Sequence, residues 1–203
     1  AGTYGNPGFN QFDKVMAYVD IDDKIYVLDA SEKDMPVHLI PRDVLMTEGL
    51  VISKIETYEW GWKILADQNK SAKNMILING QIDEAGKMTG RASINSFDYA
   101  RLGPAALVKK GKDKFLEQLN KEAGPGMTIE EVSFENAESD SLPLVQKINF
   151  NQTLNSSGDY SYFSVNLFTG LEKNPFVADD RFSDVFFGMN QSYVVVGNFV
   201  VPE

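Results

Sequence analysis

The sequence predicts an α+β fold that is mostly β: an antiparallel β-sandwich-like domain with one appended helix. Short runs of β-branched and aromatic residues recur along most of the 203 residues, and clusters of Gly, Pro, Asn and Ser separate them. Such runs are typical of strands joined by turns. Helical periodicity is confined to residues 98–122. One helix among many short strands indicates an antiparallel β architecture with the helix packed against it.

The first part of the chain predicts a β-hairpin. Residues 15–19 and 24–28 are two β-type runs, and the tetrad "DIDD" between them is rich in turn-forming aspartate. The second run ends at Asp29. The segment "MPVHLIPRDVLM" follows with two prolines, so it has room only for a short helical turn near residues 42–46. "GLVIS" then predicts another strand.

The stretch "YEWGWKI" places three aromatic residues two positions apart. Tyr58, Trp60 and Trp62 therefore share one face of a predicted strand. Such a stripe is more often part of a core or a domain interface than a ligand site. The alternative is an aromatic contact surface formed by the same three residues.

The remainder of the chain predicts one hairpin, one helical region and a series of strands. "NMILINGQIDEAGKMTGRASI" is the strongest hairpin signal, with Gly86 suited to a positive φ in its turn. The helical pattern is best in "KDKFLEQLNKEAG" and ends at Gly124, while Gly103 and Gly111 weaken its first part. The later strands are predicted near residues 127–135, 144–152, 160–168 and 192–201.

Charge and residue content exclude several classes of function. The chain has 29 acidic and 19 basic residues, a net charge of −10, and this negative field repels phosphate groups. We therefore expect no nucleic-acid partner. We also expect no membrane insertion, because no apolar run approaches the roughly 20 residues that span a bilayer. The chain is long enough to bury a substantial core.

Catalytic and metal-binding side chains are scarce. The sequence has no cysteine and one histidine, His38, so a thiolate nucleophile, a disulfide and a Cys or His metal cluster are excluded within it. Asp20, Asp22 and Asp23 lack the order of ligands found in a calcium loop and predict a solvated turn. We expect no metal and no cofactor.

The segment "FDKVMAYVDIDDKIYVLDASEK" resembles the last part of a transglutaminase-like core, whose chemistry depends on a Cys-His-Asp triad. "LDAS" places Asp29 at the triad's aspartate, and "FDKV" places Lys14 where the histidine is expected. In such a triad the thiolate attacks, the imidazole moves the proton and the carboxylate orients the imidazole. A charged lysine has no acceptor atom, and the cysteine is missing. The resemblance therefore implies no catalytic residue in this chain.

The resemblance extends beyond the core. "TEGLVIS", "KDKFLEQL" and "NPF" are similar to parts of the β-rich C-terminal domain, of unknown function, that follows this core in bacterial envelope proteins. It implies that residues 1–55 are a terminal hairpin of a transglutaminase-like core and that residues 57–203 form the C-terminal domain. It also implies a location in the bacterial cell envelope or periplasm.

The expected function is a non-catalytic binding or scaffolding module. Its partner would be an upstream transglutaminase-like core, if the chain is a fragment, or a protein or glycan. One alternative is part of an active transglutaminase-like or cysteine-protease-like enzyme whose Cys lies upstream. Another is a stand-alone envelope adhesin. Asp29 is expected to accept backbone N–H groups of residues 31–33, as an Asx-type turn or as a helix cap of the capping-box form "DASE", or else to pair with Lys14 across the hairpin.

Overall fold

The computed structural model describes residues 12–22, 24–54, 59–171 and 188–202. The chain divides into two compact units, residues 1–69 and 70–203. Strand accounts for 47% and helix for 12% of the structure, which confirms the predicted α+β, mostly β class.

The first unit contains two antiparallel hairpins. Their strands are β1 (Ala17–Ile21) with β2 (Lys24–Leu28), and β3 (Glu48–Lys54) with β4 (Glu59–Ile64). The predicted first hairpin is present, but β1 starts two residues later than expected. Asp22 adopts a positive φ of 52°, so the turn is tight and Asp20 and Ile21 still belong to the strand.

A small core holds the first unit together. Between β2 and β3 the chain runs through successive turns rather than a helix, in line with its prolines. Among the described residues, the buried apolar side chains of the unit come from β2, the turns and the position after β4, and they include Val27, Leu39, Ile40, Leu45 and Leu65. Backbone hydrogen bonds join Leu65 to Met46 and Thr47, at 2.8 Å each, and so fasten the second hairpin to the turns.

The second unit is built on one mixed sheet. Its elements are β5 (Ala72–Ile82), β6 (Lys87–Asp98), α1 (Tyr99–Val108), α2 (Lys112–Glu122), β7 (Met127–Glu135), β8 (Leu144–Thr153), β9 (Asn155–Ser157), β10 (Tyr160–Tyr162) and β11 (Gln191–Val200). The five-stranded sheet has the order β11-β5-β6-β8-β7. All neighbours are antiparallel except β11, which runs parallel to β5. β9 and β10 form a separate two-stranded hairpin.

The expected sandwich with one helix differs from this arrangement in detail. Among the described residues, helices rather than a second sheet cover the buried face of the five-stranded sheet. One face of the sheet is buried and the other is more exposed, as the alternating burial along β6 shows. Phe115 of α2 and Leu167 pack on the buried face with Ile76, Ile94 and Ile148. We call the opposite side of the sheet the open face.

For the helical region the sequence predicts one helix with a weaker first part. It forms two helices, because Gly111 takes a φ of 107° and breaks the pattern between them. The predicted strand 160–168 is also shorter than expected, ending at Tyr162. After it, Phe163 and Phe168 reach the core from an irregular segment in which Phe168 has a φ of 64°.

Gly90 leaves room for an aromatic ring at the centre of the sheet. Gly80 of β5 pairs with Gly90 of β6, and Gly90 pairs with Phe150 of β8. A Cβ atom on Gly90 would lie 2.6 Å from Cζ of Phe150 and 2.9 Å from the carbonyl oxygen of Asn79. The ring of Phe150 therefore occupies the space of a side chain on its neighbour, and it is almost fully buried.

Candidate functional site

A row of polar side chains crosses the open face of the five-stranded sheet. Each residue of the row is the cross-strand partner of the next, one from every strand; the order is Asn198, Asn79, Arg91, Asn149 and Glu131. We call these five residues the polar row. Because strands lie about 4.8 Å apart, the row extends over about 19 Å. On β5, β6 and β8 it results from strand alternation, since the chain neighbours of Asn79, Arg91 and Asn149 lie on the buried face.

A shallow depression of about 450 Å³ lies over the polar row. Four members of the polar row line it, and residues beside the row complete the lining; these are Gly80, Gln81, Thr89, Gly90, Glu130, Phe150 and Val200. Carboxamides are the commonest polar groups of this lining. Each carboxamide offers two N–H donors and one acceptor oxygen. The lining can therefore both donate and accept hydrogen bonds along its length.

One end of the polar row is fixed by hydrogen bonds. Asn149 Nδ2 donates to Glu131 Oε2 at 3.1 Å. Asn151 Nδ2 donates to Glu130 Oε1, and its own Oδ1 accepts from Thr89 Oγ1 at 3.0 Å. These bonds orient the amides of β8 and the carboxylates of β7, so this end of the site is preorganised.

The centre of the polar row carries a guanidinium that is available to a ligand. The side chain of Arg91 is exposed, and its guanidinium makes no hydrogen bond or ion pair with any residue that the structure describes. Elsewhere on this face Lys147 pairs with Glu135. A guanidinium holds five N–H donors in a planar fork, and it is less strongly hydrated than an ammonium. Arg91 is therefore the strongest hydrogen-bond donor in the depression.

An apolar patch adjoins the polar row on the side of β5 and β11. Leu77 and Val196 are cross-strand partners, and Val194 lies two residues before Val196 on the same face. Their exposed fractions are 39%, 55% and 39%, in the order Leu77, Val196, Val194. The open face thus combines polar groups over its centre with exposed valine and leucine towards the β11 edge.

The two residues singled out by the triad resemblance are in direct contact. Lys14 Nζ forms an ion pair with Asp29 Oδ2 and lies 2.6 Å from Asp43 Oδ2. Asp29 Oδ1 accepts hydrogen bonds from Ser31 N at 2.9 Å and Ser31 Oγ at 2.6 Å. Both carboxylate oxygens are thereby engaged, and an ammonium lies where the triad resemblance would require an imidazole.

The ionisation of this cluster follows from its contacts. The Lys14 ammonium, and then the two Ser31 donors, lower the pKa of Asp29 from 3.8 to about 2. The Asp29 carboxylate, and then that of Asp43, raise the pKa of Lys14 above its ordinary value. Each group stabilises the charged form of the other, which describes a structural ion pair.

The predicted role of Asp29 is correct in one part and wrong in another. The Asx-type turn to Ser31 and the pairing with Lys14 are both present. The helix cap is not, because Asp29 is followed by turns, the first closed by a bond from Glu32 N to Asp29 O at 3.3 Å. Pro36 limits the room for a helix there. Asp43 was missed because it lies in a turn without a periodic pattern.

The aromatic contact surface is only partly described. Trp60 has an exposed fraction of 48%. Trp62 is half-buried, and its ring stacks on Phe12 with centroids 6.0 Å apart and planes at 26°. Tyr58 lies outside the described residues. Trp62 thus contributes to packing within the first unit, and a contact surface formed by the three aromatic residues stays a prediction.

Comparison with known proteins gives no relative, since no family model, no curated protein and no solved structure matches the chain. Within the described residues, none of the helices has the length and apolar character needed to cross a membrane. The same residues contain no group of three or more His, Asp or Glu side chains placed to hold a metal ion.

Proposed function

We propose that this chain is a non-catalytic β-rich binding module and that it forms the C-terminal part of a transglutaminase-like protein. The observation that carries the binding role is the exposed guanidinium of Arg91 at the centre of the polar row, which pairs with no side chain in the described part of the chain. Ordinary exposed sheet faces pair their charges across strands, as Lys147 and Glu135 do here. The row instead presents a free donor between two amides.

The non-catalytic part of the proposal is supported by the Asp29 cluster. A thiol acyl transfer needs a thiolate and an imidazole, and this sequence has neither a cysteine nor a histidine at position 14. Lys14 neutralises Asp29 and is itself bridged to Asp43. Even if a cysteine lay upstream, the side chain beside Asp29 would be the ammonium of Lys14 and not the imidazole that the reaction needs. This favours the binding module over the alternative of an active enzyme.

The chemistry of the depression favours an uncharged glycan as the ligand. Sugar hydroxyls donate and accept hydrogen bonds, and the lining offers partners for both: amides that do either, the donors of Arg91 and the acceptor oxygens of Glu130. A polyanion fits less well because the chain carries a net charge of −10. The extended shape of the row suits a linear chain of several sugar rings rather than one compact molecule. A protein partner would find more apolar surface at the neighbouring patch than in the depression.

A glycan array that displays neutral and acidic oligosaccharides tests this proposal. We expect the full chain to bind neutral oligosaccharides, and Arg91→Met to lower that binding at least tenfold. Lys63→Met is the matched control, because Lys63 is an exposed lysine of β4 in the other unit; it should bind as the unchanged chain does. Binding to no glycan, or equal binding by Arg91→Met, would contradict the proposal.

A further inference from the structure

We propose that β11 pairs with β11 of a second copy of this chain, so that two five-stranded sheets join edge to edge about a twofold axis. This inference goes beyond the glycan-binding role and does not depend on it. It rests on the difference between the two edge strands of the sheet, β11 and β7, and on the sequence of β11 itself.

The β7 edge carries the features that prevent strands from associating. Its pairing with β8 is irregular between Ile129 and Glu131, and such bulges twist an edge away from an incoming strand. It also holds three glutamates, Glu130, Glu131 and Glu135. A second strand approaching this edge would meet both negative charge and broken register.

The β11 edge carries none of these features. Gln191–Val200 pairs with β5 over ten consecutive positions without a register shift. Its sequence, "QSYVVVGNFV", has no charged residue and no proline. Beyond β11 the described part of the chain supplies no further strand. Its outward N–H and C=O groups therefore form a long, regular and uncharged edge, which is the type that recruits another strand.

A second copy is the occupant that the sequence of β11 favours. Two molecules of net charge −10 repel each other, but β11 has no charged residue and so brings no like charges together where the two strands would meet. An antiparallel pair centred on Val196 places Val196 opposite its own copy, Tyr193 opposite Phe199 and Val194 opposite Asn198. Valine and aromatic cross-strand pairs of this kind stabilise sheets. The same patch on both molecules satisfies the symmetry of a twofold dimer.

The dimer would cover residues that are now exposed. Val194, Val196 and Val200 have exposed fractions of 39%, 55% and 58%. Tyr193, Val195 and Phe199, on the other face of β11, already pack against the core. Pairing would extend the buried face and the open face of the sheet into the second molecule without changing the contacts within either molecule. It would also place two polar rows on one continuous face.

Light scattering during size-exclusion chromatography of the full chain tests the dimer. We expect twice the mass of one chain at about 100 μM, and the mass of one chain for Val196→Lys, whose charge would face its own copy. Leu77→Lys adds the same charge to the open face but inside the sheet, and Ile52→Lys adds it to an exposed position of β3. Both should remain dimers. A monomeric unchanged chain, or dissociation by Leu77→Lys to the same extent, would overturn the proposal.

Cross-linking provides a second test that does not depend on a disruptive change. The chain has no cysteine, so Val196→Cys introduces a single thiol. Facing residues of an antiparallel pair have Cα atoms about 4.5–5.5 Å apart, within the range of a disulfide. Mild oxidation should give a covalent dimer in most of the Val196→Cys protein and in little of the Ile52→Cys protein. Equal cross-linking of the two variants would contradict the pairing.

Discussion

Asp29 shows how one carboxylate can fasten three separate segments. Oδ1 closes the turn to Ser31, and Oδ2 contacts the ammonium of Lys14, which in turn contacts Asp43. The side chain of Asp29 is 5% exposed, whereas that of Asp43 is 57% exposed. Lys14 therefore serves mainly to pair with the buried carboxylate of Asp29, just after β2. Its contact with Asp43 is more exposed to solvent than its contact with Asp29.

The pH dependence of stability should reveal this cluster. Because the pKa of Asp29 falls from 3.8 to about 2 on folding, its stabilising effect is present above about pH 4 and is lost as the pH falls towards 2. Because folding raises the pKa of Lys14, the lysine's effect is complete below its ordinary pKa of 10.5 and disappears only at higher pH. Asp29→Asn should thus lower the unfolding midpoint at pH 5–9 and have little effect at pH 2.

Tryptophan fluorescence suits this measurement, because the chain has two tryptophans and both, Trp60 and Trp62, lie in the first unit. Asp20→Asn is the control, since Asp20 is an exposed carboxylate of β1; it should leave the midpoint almost unchanged at every pH. If Asp29→Asn lowered the midpoint equally at pH 2 and pH 7, the ion pair would not be the source of the effect.

The contact between Lys14 and Asp29 could be predicted from the sequence, whereas the contact to Asp43 could not. The first follows from a hairpin, because residues just outside the two strands of a hairpin lie close together. The second depends on the path of the chain through turns rich in proline, where no periodic pattern relates one residue to another. The sequence alone therefore identified a pair where the structure has a bridge of three charges.

The packing of α1 depends on a buried arginine. Arg101 is 5% exposed, and its Nη2 donates to the carbonyl oxygens of Asn136 and Ala137, at 3.0 Å each. Asn136 has a φ of 59°, and its Nδ2 donates to Pro143 O at 3.0 Å, across the β7–β8 connection. Arg101 therefore connects the helix to the loop that leads from the edge strand into the sheet.

Replacing this arginine should destabilise the second unit. Arg101→Met keeps much of the apolar stem but removes two hydrogen bonds from a charged donor, and a hydrogen bond of this kind contributes about 1.5–3 kcal/mol. We expect a loss of about 2–4 kcal/mol in urea unfolding followed by far-UV circular dichroism. Arg91→Met makes the same change at an exposed site and should stay within about 0.5 kcal/mol. Equal effects of the two variants would contradict a structural role specific to Arg101.

Local elements were more predictable than the sheet and the polar row they form. The hairpin β5–β6 could be predicted because alternation and Gly86 define its register, which already pairs Asn79 with Arg91. No local sequence pattern shows that β8 lies between β6 and β7, or that β11 pairs in parallel with β5. Asn149 and Asn198 join the polar row only through these long-range pairings. The candidate site was therefore missed although two of its residues were within reach.

The two units of the molecule meet in the chain at residues 69 and 70. The first unit depends on two hairpins and a small core, and the second on one sheet, two helices and a larger core. The predicted domains change at residues 55–57, between β3 and β4, which are paired partners. A cut at that position would separate the strands of one hairpin, whereas a cut after Asn69 separates none of the described pairings.

Two fragments distinguish these boundaries. Residues 70–203 keep the whole five-stranded sheet, its helices and its core, so this fragment should unfold in one cooperative thermal transition, as single domains of this size usually do. Residues 57–203 should show a transition at nearly the same temperature, because β4 adds no strand to that sheet. It should be less soluble, since β4 without β3 has two unpaired edges and carries the exposed Trp60 and Ile64.

Calorimetry of the two fragments gives the transitions, and the protein concentration remaining after centrifugation gives the solubility. If residues 70–203 gave no transition while residues 57–203 did, β4 would belong to the second domain and the division after Asn69 would not be a folding boundary.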